Sequence, residues 1–442
     1  MRSSHKLESL SVTFDEPNLV PNAGLVPAAE LAQKLGVAEL IDERVDLGQR
    51  PGAANGGAKA LTVVGTLLAG GDHIEHADVL RSTDAAVEVF DDTRAPSTIG
   101  VWLRAFSWAA VRMLDAVLRV VLVRAWAAGL GPNLDADLTI DCDSTVCQTF
   151  GLAKQGGVFS HTKVRGYHPL LATCADTGEV LHARLRGGNA NSGRGSGSFV
   201  AEALSRVRAA GARGELTVRA DSGFYSRAFI GACRRANARF SVTVRMNTSL
   251  RTAIAAIPDH AWTPIAYWLD GGADVAETAY TLFKGTREAV EVRLIVRRVR
   301  PTPGSQLALD VVFDYHAFVT DRDGELLTLE ADHRRHAVVE KVIADLKGHV
   351  GLAHLPSGRF HANAAWLALV TLAYNLGRWT LRAAGSAWEA CSIATLRRCL
   401  VAMPARLVHS AGRLRLRAPD RWPWRAAFLA VRARIGRLPA PG

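Results

Sequence analysis

The spacing of apolar residues changes period along the chain, and each change predicts a change of architecture. Residues 1 to about 25 are irregular and carry Pro17 and Pro21. Apolar positions then recur at three- and four-residue intervals in PAAELAQKLGVAELIDERV (27–45), ALTVVGTLLAGG and HADVLRS. The same spacing runs through a long segment from Ser97 to Gly129, with Ser97 after Pro96 placed to cap its N-terminus. This is the period of amphipathic helices, so residues 1–130 are expected to be mainly helical. Beyond Gly131-Pro132 the period becomes two: Leu138, Ile140 and Cys142 alternate with Thr139, Asp141 and Asp143. That predicts a strand with one apolar face and one face bearing two carboxylates. YHPLLATCA, EVLHARLR, ELTVRAD and RFSVTVRM are further strand candidates, and SFVAEALSRVRAAG and SRAFIGACRRAN are helical. Residues 131–243 therefore read as a compact α/β layer. Residues 244–325 turn strand-rich again (AYWLDGG, TAYTLFKG, AVEVRLIVRRV, LDVVFDYHAFVT) and read as an inserted β-subdomain. Helices resume over 326–385, in HRRHAVVEKVIADLKG and NAAWLALVTLAYNLGRWTLRAA, and a basic region expected to be helical occupies 386–442.

Composition narrows the class without naming a chemistry. The 442 residues are 48% apolar and 21% charged, as in a globular protein of two or three domains. No window is long and charge-free enough to span a membrane, and MRSSHKLESLSVTFDE lacks a signal peptide's apolar stretch, so a cytoplasmic location beside the nucleoid is expected. The six cysteines (142, 147, 174, 233, 391, 399) show no C-x-x-C pair, which argues against a disulfide framework or a structural cysteine-zinc site. Charge is uneven: of the net +11, residues 395–442 carry +10 from eleven Arg and one Asp. An all-Arg tail containing Trp422 and Trp424 points to a polyanionic partner, although a solvated Arg-rich surface has the same composition. Within it, Arg413, Arg415 and Arg417 are the candidate phosphate contacts.

Chemistry concentrates in three carboxylates. Asp143 closes LTIDCDSTV, Asp221 closes LTVRADSGFYS, and Glu340 lies in HAVVEKVIADLK. Singly, each has an ordinary reading as a turn-former, a helix cap or a solvated helix residue. Together, two strand-end aspartates and a glutamate from a packed helix are hard oxygen ligands suited to two Mg²⁺ ions, with Mn²⁺ able to substitute. Asp141, two residues before Asp143, is an alternative first ligand. His333, His336, Glu340 and Lys347 are spaced to share one helix stripe, where the cations would grip phosphates beside the acid. The same stripe could be an exposed polar face. KVRGYHPL places Lys163 and Arg165 beside Tyr167, a basic-aromatic cluster for phosphates and a displaced base, or a set of residues that shapes the strand. AAELAQKLGVAELI has the small residue and glycine of a helix-turn-helix, and STIGVWLRAF could present Ser97, Thr98 and Arg104 to DNA; a helical dimerisation module fits equally. Trp262 and Trp268 in the insertion read by type as core residues of a β-subdomain.

IDCDSTV, KVRGYHPLLA, LRGGNANSG, VRADSGFYS and Glu340 with Lys347 seven positions on resemble DDE transposases of bacterial insertion sequences, nearest to the insertion-sequence thirteen-eighty type. PARLVHSAGRLRLR extends the likeness towards the end of the chain. The resemblance implies an RNase H-like mixed-sheet core over 131–243, interrupted by the 244–325 insertion and completed by 326–385. It also implies a helical DNA-binding or dimerisation domain over 1–130 and a DNA-contacting region over 386–442. Asp143, Asp221 and Glu340 would be the metal triad and Lys347 a contact to the transposon end. It is this resemblance that makes Trp262 and Trp268 candidates for stabilising a flipped base. The family usually has Tyr and Arg where this chain has His333 and His336. The expected function is cleavage of element ends and joining to target DNA by a dimer on double-stranded DNA. A nuclease on the same core and a domesticated DNA-binding protein are the rivals. An RNA-binding protein is a third, but no RNA motif is recognisable.

Overall fold

A computed structural model describes residues 10–439 apart from 91, 161, 269–270 and 301–312. Six helices open it: α1 (Val26–Lys34), α2 (Val37–Arg44), α3 (Gly56–Ala69), α4 (Asp84–Phe90), α5 (Pro96–Ala105) and α6 (Trp108–Ala127). Gly36 sits at φ 68° between α1 and α2, a left-handed turn that glycine adopts without strain. The long helix expected from Ser97 to Gly129 is broken in two. Pro96 rather than Ser97 starts α5, and the chain turns extended at Phe106–Ser107, where the Ser107 side chain accepts from the Ala110 N–H to cap α6. A serine in the middle of an apolar run was the available signal for that break.

The strands fall into three sheets. Besides β1 (Leu19–Val20) they are β2 (Leu138–Ser144), β3 (Cys147–Gln148), β4 (Val158–Phe159), β5 (Arg165–Tyr167), β6 (Leu170–Cys174), β7 (Val180–Arg184), β8 (Leu216–Ala220) and β9 (Ala238–Thr243). Those of the insertion follow as β10 (Thr263–Ile265), β11 (Ala273–Leu282), β12 (Val290–Val299) and β13 (Asp314–Thr320), and β14 (Ala405–Ser410) and β15 (Arg413–Arg417) come last. Nine of them form one mixed sheet in the order β10-β11-β12-β13-β9-β8-β2-β6-β7. Only β2–β8 and β8–β9 are parallel within it. The parallel connections pass through α7 (Ser196–Ala209) and α8 (Arg227–Arg235), helices long enough to cross back over the sheet.

The strand-rich block does not stand apart as a sheet of its own: β13 pairs with β9 through Phe318–Thr243 to Thr320–Ser241, so the insertion extends the main sheet. α9 (Thr248–Ala255) leads into it. The start of LDVVFDYHAFVT, residues 308–312, lies outside the described residues.

The helix expected around Glu340 is also divided, into α10 (Leu326–Arg334), a 3₁₀ turn (Arg335–Ala337) and α11 (Val338–His349). α12 (Phe360–Ala384) then runs almost wholly buried, with Trp366 and Trp379 2% exposed or less. Its uniform apolarity makes it the axis on which α3, α6 and β7 pack. Short helices α13 (Ser386–Glu389) and α14 (Ile393–Leu396) follow. The basic region is not simply helical: β14 and β15 make a hairpin, β1 adds to its edge, and only then comes α15 (Arg425–Gly436). The alternation in RLVHS and RLRLR, split by Ala411-Gly412 at positive φ, is the physical cause. No described helix is long and apolar enough to cross a membrane.

Candidate active site

β2 and β8 lie side by side and parallel, with Asp141 opposite Arg219 and Cys142 opposite Ala220. One residue further on, each strand reaches an aspartate: Asp143 on β2 and Asp221 just past β8. Their position at the carboxyl ends of adjacent parallel strands is where backbone termini open onto solvent. α11 packs against β2 and carries Glu340, exposed, in its first turn.

The electrostatics draw the three together. Burial pushes the Asp143 carboxyl up to about 6, and the charges of Asp221 and Glu340 push in the same direction; the Ser144 N–H and His336 oppose them. Asp143 Oδ1 accepts from Ser144 N at 2.6 Å, and Asp221 Oδ1 accepts from Gly223 N at 3.0 Å. Among the described residues none of the three forms an ion pair within 4 Å. Like-charged carboxylates that no described Lys or Arg pairs with are a donor set that fits hard divalent ions.

Asp141 is differently occupied. It is 1% exposed, and Arg219 (2% exposed) grips both its oxygens, Nε to Oδ1 at 2.7 Å and Nη2 to Oδ2 at 2.9 Å. His336 Nδ1 stands 3.0 Å from the same Oδ1, so its ring faces this acid rather than a phosphate. Arg219 also donates to the Asp332 carbonyl at 2.5 Å and to its carboxylate at 3.0 Å. Asp141 is therefore corrected from metal ligand to anchor, since its oxygens are spent on a bidentate guanidinium. The anchor joins β2 and β8 to the end of α10, immediately before the turn that delivers Glu340. The register signal was present in VRAD: an arginine two before Asp221 lies opposite an aspartate two before Asp143.

The other expected residues divide. His333 stacks on Phe318 (ring centroids 3.9 Å apart) and engages Ser241 Oγ at 2.8 Å and Thr243 Oγ1 at 3.0 Å. Burial, helped by nearby cationic groups, pushes it down to about 3, so it is neutral and has no free nitrogen for a phosphate. The shared stripe fails because the 3₁₀ turn resets the helical phase between His333 and Glu340. Tyr167 is fully buried, donating to Gln155 O at 2.8 Å and accepting from Asn363, so it stacks on no base. Arg165 spends its guanidinium on the carbonyls of Gly157, Gly151 and Leu152 and braces the loop before β4. Lys163 is exposed at the tip between β4 and β5. Lys347 reaches the Val146 carbonyl at 2.9 Å, close beyond Asp143. Arg413, Arg415 and Arg417 line the exposed face of β15. Trp262 is buried under Arg298, whose guanidinium lies 4.3 Å from its ring, whereas Trp268 is 78% exposed.

RGGNANSGRGSGS (186–198) is a low-complexity tract by composition, but it borders the site. Ser192 Oγ is 2.9 Å from Ser144 Oγ, and His168 Nε2 reaches the same Ser144 oxygen at 3.0 Å. A Cβ on Gly223 would fall 2.9 Å from the Ser192 side chain, so only glycine lets this loop close on Asp221.

The family model described as "Transposase DDE domain group 1" matches residues 3–440. No curated protein matches. Among solved structures, the chain is similar to one described as "Cryo-EM structure of piggyBac transposase synaptic complex with hairpin DNA (SNHP)", with a TM-score of 0.41, 13% identity, and 86% of this chain and 80% of that one covered.

Proposed function

Because the chain belongs to the DDE transposase family of domain group 1, we propose that it cuts the ends of an insertion sequence of the thirteen-eighty type and joins them to target DNA. The observation that carries this reading is the trio Asp143, Asp221 and Glu340: the like charges of the other two act on Asp143 at the open end of β2 and β8, and among the described residues none of the three is in an ion pair. These three would hold two Mg²⁺ ions, with Mn²⁺ as substitute, and the ions would supply Lewis-acid activation of the attacking oxygen and relief of charge on the leaving one. An RNase H-like core over 131–243 and 326–385 fits the order of its strands, with 244–325 inserted between Asp221 and Glu340.

The chain's own residues do the positioning. Ser144 N–H and Gly223 N–H fix one oxygen each of Asp143 and Asp221, so the remaining lone pairs face the open side. Arg219, locked between Asp141 and Asp332, holds α10 and hence the base of α11 against the sheet. Lys163, Lys347, Arg413, Arg415 and Arg417 are the groups proposed to contact DNA phosphates; Lys347 and the exposed Arg row support that role by position. Two ends cut in concert call for a homodimer on double-stranded DNA. Residues 1–130 would bind end sequences or mediate pairing, and residues 386–442 would contact DNA.

Strand cleavage by the purified chain on its own flanking DNA with Mg²⁺, beside Asp221→Asn, tests the proposal. Cuts at defined ends that vanish in the variant, with joined products, are expected. Cutting without joining would make it a nuclease on this core, and specific binding without cutting a domesticated binder.

A further inference from the structure

Two guanidiniums reach the turn at Asp221 that the sequence pattern did not single out. β8, which ends at that turn, lies between β9 and β2 in the sheet, and one cation arrives from each side. From the β9 side comes Arg245, two residues past Thr243. β9 runs parallel to β8 with Val242 opposite Ala220, so its chain leaves the sheet at the same edge as Asp221. Arg245 Nε stands 3.5 Å from Ser222 Oγ, a long contact that places the group beside Asp221 without holding it. The side chain is exposed, and among the described residues its two Nη atoms have no acceptor.

From the β2 side comes the glycine-serine tract. Arg186, 9% exposed, donates Nε to the His168 carbonyl at 3.0 Å and Nη1 to the carbonyls of Asn191 at 2.6 Å and Arg194 at 3.0 Å. Arg194 N–H donates to Asn191 Oδ1 at 2.9 Å. A Cβ on Gly188 would fall 2.2 Å from the Val158 carbonyl oxygen and 2.3 Å from that of Gly166, so the start of the tract docks where only glycine fits. Its other end lies on the Asp221 turn, where a Cβ on Gly193 would come 3.4 Å from the Gly223 carbonyl oxygen. The buried arginine thus fixes the backbone from which Arg194 projects. The Arg194 side chain itself is exposed, with no ion pair among the described residues.

The opposite edge of the same strands is built differently. There Arg239, at the start of β9, pairs with Glu215 at 2.9 Å and Asp323 at 3.1 Å, and Arg213 pairs with Asp135 at 2.5 Å. Exposed arginines are matched with acids at one edge of the sheet and left unmatched at the edge that carries the carboxylate trio.

We propose that Arg194 and Arg245 form a phosphate clamp across the Asp221 turn, taking backbone phosphates of the DNA strand on which the carboxylates act. A planar guanidinium offers parallel N–H donors to two phosphate oxygens, the geometry these free groups can present. Three acids at an open edge repel a phosphodiester, and two uncompensated cations beside them offset that repulsion. The choice of DNA as ligand rests on the transposase reading; the placement of the two cations does not.

The test is filter binding of a duplex from the chain's own flanking DNA to the full chain, over a salt series with divalent metal chelated so that no strand is cut. Arg194→Ala and Arg245→Ala should each lower the slope of log affinity against log salt by about 1, and Lys at either position should restore it. Both side chains are exposed, so melting temperatures should not move. Probes with one neutral methylphosphonate at successive positions locate the contacts. The position that weakens binding by the parent should have no effect on the matching Ala variant, because the pair is already lost. In Mg²⁺ the parent's cut should fall within about two base pairs, about 7 Å, of those positions. Unaltered slopes in both Ala variants, or contacts remote from the cut, would overturn the clamp while cleavage keeps the transposase reading in place. Lowered slopes in a chain that never cuts would sustain the clamp and count against that reading, and a parent that binds no DNA would overturn both.

Discussion

Two clusters of carboxylates occupy this molecule, and their charge balance is opposite. Behind β7, Asp115 and Glu202 flank His182 at 3.4 and 3.2 Å. Arg206 lies 2.6 Å from Asp115, Arg112 bridges both acids, and Arg184 holds Glu202. Burial alone would raise Asp115, yet His182 and Arg206 bring it down to about 2, and Glu202 is lowered likewise. At the end of β2, burial and two acidic neighbours instead carry Asp143 up to about 6. A finished structural network satisfies its own charges; a site built for an incoming cation leaves them unsatisfied. Residue type alone does not separate the two clusters.

The largest effect should come from the open cluster. Asp143→Asn or Asp221→Asn is expected to reduce end cleavage by about 10²–10³-fold or more while thermal unfolding is unchanged or slightly raised, the scale of removing a group that stabilises transition-state charge. A variant that keeps cleavage within about tenfold would end the distinction drawn between the clusters.

Next comes loss of stability from the closed networks. Asp115→Ala strands Arg206, and Arg219→Ala strands the buried Asp141, so each should cost about 3–5 kcal/mol in urea melts. Unaltered melts for Asp115→Ala would mean that its cluster is not the compensated network described.

The pH profile sharpens the contrast, because the two acids have opposite sign. Asp115 has a depressed folded pKa, so its contribution is present above about 4 and is lost as pH falls towards 2. Asp143 has a raised one, so its contribution is present below about 4 and is lost as pH rises through about 6. Asp143→Asn should therefore stabilise the chain by about 1–3 kcal/mol at about pH 8 and by little at about pH 3. Melting curves of both single variants across that range check the crossing.

The smallest effects test the periphery. Replacing Arg413, Arg415 and Arg417 with Ala should lower the slope of log affinity against log salt by about 1 per residue. Tyr167→Phe should leave DNA binding unchanged and cost about 1 kcal/mol for its hydrogen bonds. Filter binding over a salt series separates them, and a Tyr167→Phe binding loss would restore a DNA contact through the hydroxyl that burial removes.

Much of the architecture was legible from period alone. The alternation around 138–143, the strand–helix–strand run to β9, and the apolar α12 are local patterns whose side chains face one neighbour whatever the rest does. The placement of Asp143 and Asp221 at strand ends and of Glu340 on a helix was legible too, because such positions are local facts. One miss was itself local: Ser107 caps α6 and so divides a helix that periodicity made continuous. Elsewhere the deciding interaction was distant. Asp141 and Asp143 look equivalent on one strand face until Arg219, seventy-eight residues away, claims Asp141. His333 and Glu340 look like one stripe until a 3₁₀ turn separates them and Phe318, Ser241 and Thr243 enclose the imidazole. The glycine-serine tract around Ser192 looks like featureless sequence until the end of β8 places Gly223 against it.

The sequence by itself determined the elements and the residues able to do chemistry, since period, charge and side-chain type are carried by neighbours along the chain. Tertiary structure alone decided which carboxylate is left uncompensated, because a charge is satisfied or exposed only by groups that folding brings from elsewhere.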